Sequence, residues 1–150
     1  MRRAATLLVP LLVALLVVTG CGPTLPATPP TSLAAARAAW ETRGAVDYDF
    51  TIRRDCYCLD EYVGPFSVVV RDGRATATRD GAAVDPSLLE GLPLTAESLF
   101  AFADERETQA AFRATFDPTS GFLLSVWSDP IPEAADDELG LTISDLIIRD

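Results

Sequence analysis

The chain has 150 residues and carries 22 acidic residues against 12 arginines, with no lysine and no histidine, for a formal charge of −10. That length holds one domain of ordinary size, and the acidic balance argues against a nucleic-acid partner, whose phosphates need clustered cations. Without histidine the usual proton-transfer group at neutral pH and the commonest metal ligand are both missing. Serine chemistry lacks a base and a Gly-x-Ser-x-Gly elbow, and no glycine loop is laid out to cradle phosphate.

Residues 1–20 read as a signal peptide. Arg2 and Arg3 give a positive start, and Leu7 to Val18 form an apolar run, interrupted by Pro10, that is too short for a membrane span of about 20 residues. The run ends in Val18-Thr19-Gly20-Cys21, which resembles the bacterial lipobox: small residues fit a peptidase cleft, and the thiol is alkylated by a diacylglyceryl group before cleavage. Cys21 is therefore the expected lipidation site. Two or three acyl chains on it give stable anchoring, at about 0.8 kcal/mol per buried methylene. Residues 21–31 continue as a Pro/Thr-rich tether with nothing to pack. Loss of Arg2 and Arg3 leaves 10 arginines against 22 acidic residues, a formal −12. The expected location is exported, held by lipid to the outer face of the cytoplasmic membrane or to the outer membrane.

Residues 32–150 read as one domain. Ser32 caps a helix predicted over Leu33 to Arg43, with Gly44 as its stop. Val46, Tyr48, Phe50 and Ile52 alternate with Asp47, Asp49, Thr51 and Arg53, the pattern of a half-buried strand, which runs on into Asp55-Cys56-Tyr57-Cys58. Gly64-Pro65 breaks the chain. Phe66 to Val70 and Ala75 to Arg79 form a hairpin across Asp72-Gly73. Asp80 to Pro93 is turn-rich. Thr95 caps a second helix, Ala96 to about Arg106. Ala111 to Phe116 and Phe122 to Trp127 pair across Asp117–Gly121. After an acidic, proline-bearing loop, Leu141, Ile143, Leu146, Ile147 and Ile148 supply a closing strand. The order α-β-β-β-α-β-β-β implies an α+β fold: an antiparallel sheet of five to six strands with two helices packed on one face. Trp40, Tyr48, Phe50, Phe100, Phe102 and Trp127 are the expected aromatic core.

The lipobox, the Trp-bearing helix, Tyr48-Asp-Phe-Thr-Ile-Arg-Arg-Asp-Cys-Tyr-Cys58 and the Val-rich strand with Asp72-Gly73 together resemble the DUF6174 group of small bacterial lipoproteins. Leu99-Phe100, the segment Phe116–Phe122 and Asp129 extend the resemblance over about residues 36–148. Leu123 departs from it, standing where a proline is expected. The resemblance implies the fold and the location and supplies no reaction.

With Cys21 lipidated, Cys56 and Cys58 remain as a pair in an oxidising compartment. In a regular strand their Cα atoms would be about 6.5–7 Å apart, against about 4.4–6.8 Å for a disulfide, so a bond needs a bend. Three readings stay open for this pair: a local structural disulfide, a free-thiol or soft-metal site, and a redox pair. Asp55, Asp60, Glu61, Asp136, Asp137 and Glu138 could offer oxygens to a cation but lack EF-hand spacing, and a solvated acidic face is the simpler reading. Tyr57 and Tyr62, with Asp60 and Glu61, make the candidate recognition patch. No catalytic residue, metal ligand set or cofactor is assigned. The expected function is a membrane-anchored binding domain meeting an envelope protein or cell-wall partner. The alternatives are a metal- or redox-linked accessory protein using Cys56 and Cys58, and an enzyme.

Overall fold

Ser32 has extended backbone and accepts a hydrogen bond from the Ala35 N–H at 3.2 Å, which starts helix α1 (Leu33–Arg43). Gly44, at φ 66°, ends it by returning its N–H to the Trp40 carbonyl, the left-handed stop that glycine adopts without strain. The computed structural model describes residues 28–134 and 136–149. The expected signal segment, Cys21 and the expected tether up to residue 27 lie outside the described residues. Among those described, no helix is long and apolar enough to cross a membrane.

The strands are β1 (Asp47–Asp55), β2 (Phe66–Arg71), β3 (Arg74–Arg79), β4 (Ala82–Ala83), β5 (Ala111–Phe116), β6 (Leu123–Asp129) and β7 (Leu139–Arg149). They form one antiparallel sheet in the order β4-β3-β2-β1-β7-β6-β5. Helix α1 and helix α3 (Ala96–Asp104) bury Leu33, Ala36, Trp40, Leu99 and Phe100 in one core with the inward side chains of that sheet. The predicted α+β architecture is therefore present, with two additions. Two-residue β4 makes a seventh strand, and a one-turn helix, α2 (Asp60–Val63), makes a third helix. Both are too short to show periodicity in sequence.

Registry follows side-chain parity. Tyr48, Phe50 and Ile52 lie opposite Val70, Val68 and Phe66, all buried. The opposite parity puts Asp49, Thr51 and Ser67 on the solvent face, where Arg71 (2.6 Å) and Arg149 bracket the Asp49 carboxylate from the two neighbouring strands. In β7 the parity changes partway. Asp145 adopts φ 55°, and the register slips opposite Phe50, so Ile143 and then Leu146 and Ile148 face inward. This β-bulge accommodates an apolar pattern that no straight strand could bury.

Trp40, Tyr48, Phe50 and Phe122 form the centre of the core, with ring centroids 4.8–6.1 Å apart. The Tyr48 hydroxyl oxygen accepts the N–H of Ala96 at 2.7 Å. That N–H opens α3 and would otherwise be a buried orphan. Thr95 and Ser98 complete the helix start as a capping box. Gly121 sits directly beneath α1 at φ 78°; a Cβ there would run into the Ala36 carbonyl oxygen and lie 2.8 Å from the Ala39 methyl.

Two expected core residues are elsewhere. Val46 precedes β1 and is 62% exposed. Trp127 lies on the solvent face, paired across from Gly140 and covered by the Arg113 guanidinium at 4.1 Å. The missing side chain at Gly140 leaves room for the indole to lie against the sheet.

Candidate functional site

Strand β1 ends at Asp55, and the chain bends at once. The expected strand therefore stops short of the cysteines. That bend brings the Cα atoms of Cys56 and Cys58 to 5.4 Å and joins their sulfurs as a disulfide, where a continued strand would have held them further apart. Cys56 is half-buried and Cys58 exposed. Tyr57, between them, is 84% exposed, and Leu59 follows at 68%.

The candidate patch divides. Tyr57, Asp60 and Glu61 face solvent, while Tyr62 is half-buried in α2. Its hydroxyl makes no hydrogen bond among the described residues, and its main-chain carbonyl is held from below. The carboxylates of Asp60 and Glu61 stand in the first turn of α2, where the helix N-terminus favours negative charge. Asp136 and Glu138, from the β6–β7 loop, reach the same corner and line a cleft of about 400 Å³ with Arg53, Arg54 and Tyr57. Asp137, between them, has both carboxylate oxygens buried without a hydrogen bond among the described residues. No group of three or more Cys, Asp or Glu side chains is arranged to hold a metal ion among the described residues.

Arg54 was not singled out in the sequence, yet it organises this corner. It continues the inward parity of Tyr48, Phe50 and Ile52, which was the available signal. Its guanidinium donates to the carbonyls of Tyr62 (2.9 Å), Leu88 (2.9 Å) and Glu90 (2.6 Å). It so ties α2 and the 3-10 turn at Pro86–Leu89 to the end of β1. Arg79 makes a parallel bond to the Glu61 carbonyl at 2.7 Å while lying over the Phe66 ring. Two arginines therefore satisfy the free carbonyls of a helix too short to satisfy its own.

No carboxylate pairs with Arg54 among the described residues. Burial lowers its pKa, although an arginine remains charged at neutral pH. A second cleft of about 400 Å³ is lined by Arg54, Cys56, Cys58, Tyr62, Ser87 and Glu90. The disulfide thus lies between an acidic outer rim and a half-buried cation that has no carboxylate partner among the described residues. Such a corner can bind a partner through its exposed side chains, and it can hold negative charge beside the sulfurs.

The chain belongs to the family described as DUF6174, a family of unknown function, which it matches over residues 32–148. No curated protein and no solved structure matches it significantly.

Proposed function

We propose that this member of DUF6174 is an exported, lipid-anchored envelope domain that binds a protein or cell-wall partner through the turn at Cys56–Cys58. The carrying observation is Tyr57, an aromatic side chain 84% exposed and held between two bonded cysteines. An exposed aromatic on a covalently closed turn loses little conformational freedom on binding, and tyrosine is among the residues that most often dominate interface energy. Leu59 extends the apolar contact, and Asp60, Glu61, Asp136 and Glu138 supply an acidic rim for a partner with basic or amide groups. The anchor rests on Arg2, Arg3, the apolar run and Val18-Thr19-Gly20-Cys21.

A photo-crosslinking residue at position 57, expressed in the native envelope, tests the recognition surface. It should capture a discrete partner that a crosslinker at Thr76, on the solvent face of β3, does not. Identical products from both positions would sink the reading. For the anchor, Cys21→Ser should leave the membrane fraction or persist as an uncleaved precursor. Unchanged fractionation and mobility would show that Cys21 carries no lipid.

A further inference from the structure

The sulfurs differ in access and in surroundings. Cys58 is exposed and Cys56 half-buried; both line one cleft with Arg54, and of the two only Cys56 also lines the neighbouring cleft with it. Arg54 spends its hydrogen bonds on three main-chain carbonyls, so its charge is uncompensated by any carboxylate partner among the described residues. A cation in that position lowers the cost of a thiolate at Cys56. The ring closed by bonding residues two apart is also small, so the entropy its closure removes from the unfolded chain is small.

We propose that the Cys56–Cys58 bond exchanges with a thiol of the bound partner, with Cys58 as the sulfur attacked and Cys56 as the leaving thiolate held by Arg54. The partner is a protein presenting an accessible cysteine, and the step rests on the turn being the recognition surface. The partner's thiol first ionises, giving its proton to water. Its thiolate then attacks Sγ of Cys58 along the Sγ56–Sγ58 axis. A partner–Cys58 disulfide forms, the Cys56–Cys58 bond breaks, and the bonding electron pair passes to Sγ of Cys56. No net oxidant or reductant is consumed. The reverse attack, by the Cys56 thiolate on Cys58, frees the partner and restores the turn. Arg54 acts as a positioning residue throughout. Against it stand Glu90 and the Tyr62 hydroxyl in the same cleft, with Asp55, Asp136 and Glu138 in the next, where Arg53 adds a second cation.

The probe is glutathione, using the purified full chain and reading adducts by peptide mass analysis after acid quench. Reduced glutathione in the millimolar range should give a mixed disulfide on Cys58 and none on Cys56. Arg54→Gln should lower the adduct fraction about tenfold, and Arg54→Lys should restore most of it. Because Arg54 also ties loops together, a second reading uses the wild-type chain alone. After reduction, alkylation of Cys56 by iodoacetamide should rise with a midpoint pH below the free-cysteine value of about 8.5. An adduct on Cys56, a bond that resists millimolar thiol, or a midpoint at or above that value overturns the proposal. If the wild-type turn gives no glutathione adduct while position 57 still captures its partner, recognition stands and exchange alone is refuted; if position 57 captures no discrete partner, the recognition reading itself fails.

Discussion

Replacing Tyr48 with Phe removes one oxygen from the core and leaves the ring packing in place. Its ring is 4% exposed and lies against Trp40, Phe50 and Phe122. The oxygen it removes is the acceptor for the Ala96 N–H at 2.7 Å, and Ala96 is itself buried at 4%. Water cannot replace that acceptor without opening the joint between β1 and α3. The cost is then that of a buried donor left unsatisfied, about 1–3 kcal/mol. Over the 117 residues of the family match, the entropy of unfolding is about 0.25 kcal/mol/K. A loss of about 2 kcal/mol therefore lowers Tm by roughly 8 °C. Differential scanning calorimetry of Tyr48→Phe measures this, with Tyr62→Phe as the matched control. The control should lie within about 1 °C of the parent, since its hydroxyl has no hydrogen bond to lose among the described residues. An unchanged Tm for Tyr48→Phe, or equal shifts for both variants, would refute the idea that this one bond ties α3 to the sheet.

Gly121→Ala combines a left-handed backbone with a collision against the Ala36 carbonyl, and should cost about 2–5 kcal/mol, the strain and overpacking together, read as a fall in the urea midpoint at constant slope. Acid should weaken the fold through Asp117 and Asp49. Burial raises the Asp117 pKa, but the N–H and hydroxyl of Ser120, the N–H of Thr119 and the charge of Arg43 together bring it below the ordinary value. Bonds from Arg149 and then Arg71 hold Asp49 low as well. A carboxyl depressed on folding contributes stability above its unfolded pKa of about 3.9, and that contribution is lost as pH falls through the lower folded value. Urea midpoints should therefore be insensitive to these groups between pH 7 and 5 and drop below about pH 4. Asp117→Asn should show a shallower acid drop, and an unchanged one would exclude Asp117 as a source.

The sequence made the sheet legible where one rule acted alone. Ser32 and Gly44 bound α1, Thr95 starts α3, and Asp72-Gly73 turns β2 into β3, because caps and positive-φ turns are local requirements. Strict alternation identified the inner face of β1 through Ile52. It does not extend through β7, whose membership was legible but whose inner face was not, because the bulge at Asp145 shifts parity and no residue type announces it. It also misplaced Val46, which keeps the inward parity but lies ahead of the first residue of β1, and aromatic character alone misplaced Trp127, since it does not say which side of the sheet a residue takes. At the corner, the cysteine pair was visible from spacing. Arg54 was hidden by type: a charge at an inward position is legible only once the carbonyls of α2 and the 3-10 turn are known to need a donor.

The two margins of the sheet are unequal. One ends in β4, only two residues long, and the other shows six-residue β5 with no strand beyond it among the described residues. A free strand of that length is a template on which another chain can add, and Arg113 is the single charge within it. The formal −10 of the full chain opposes such addition by mutual repulsion. The acidity that leaves this protein few anionic partners thus also acts as its colloidal protection. Screening it with salt, or titrating it toward pH 4, should bring on edge-to-edge assembly through β5.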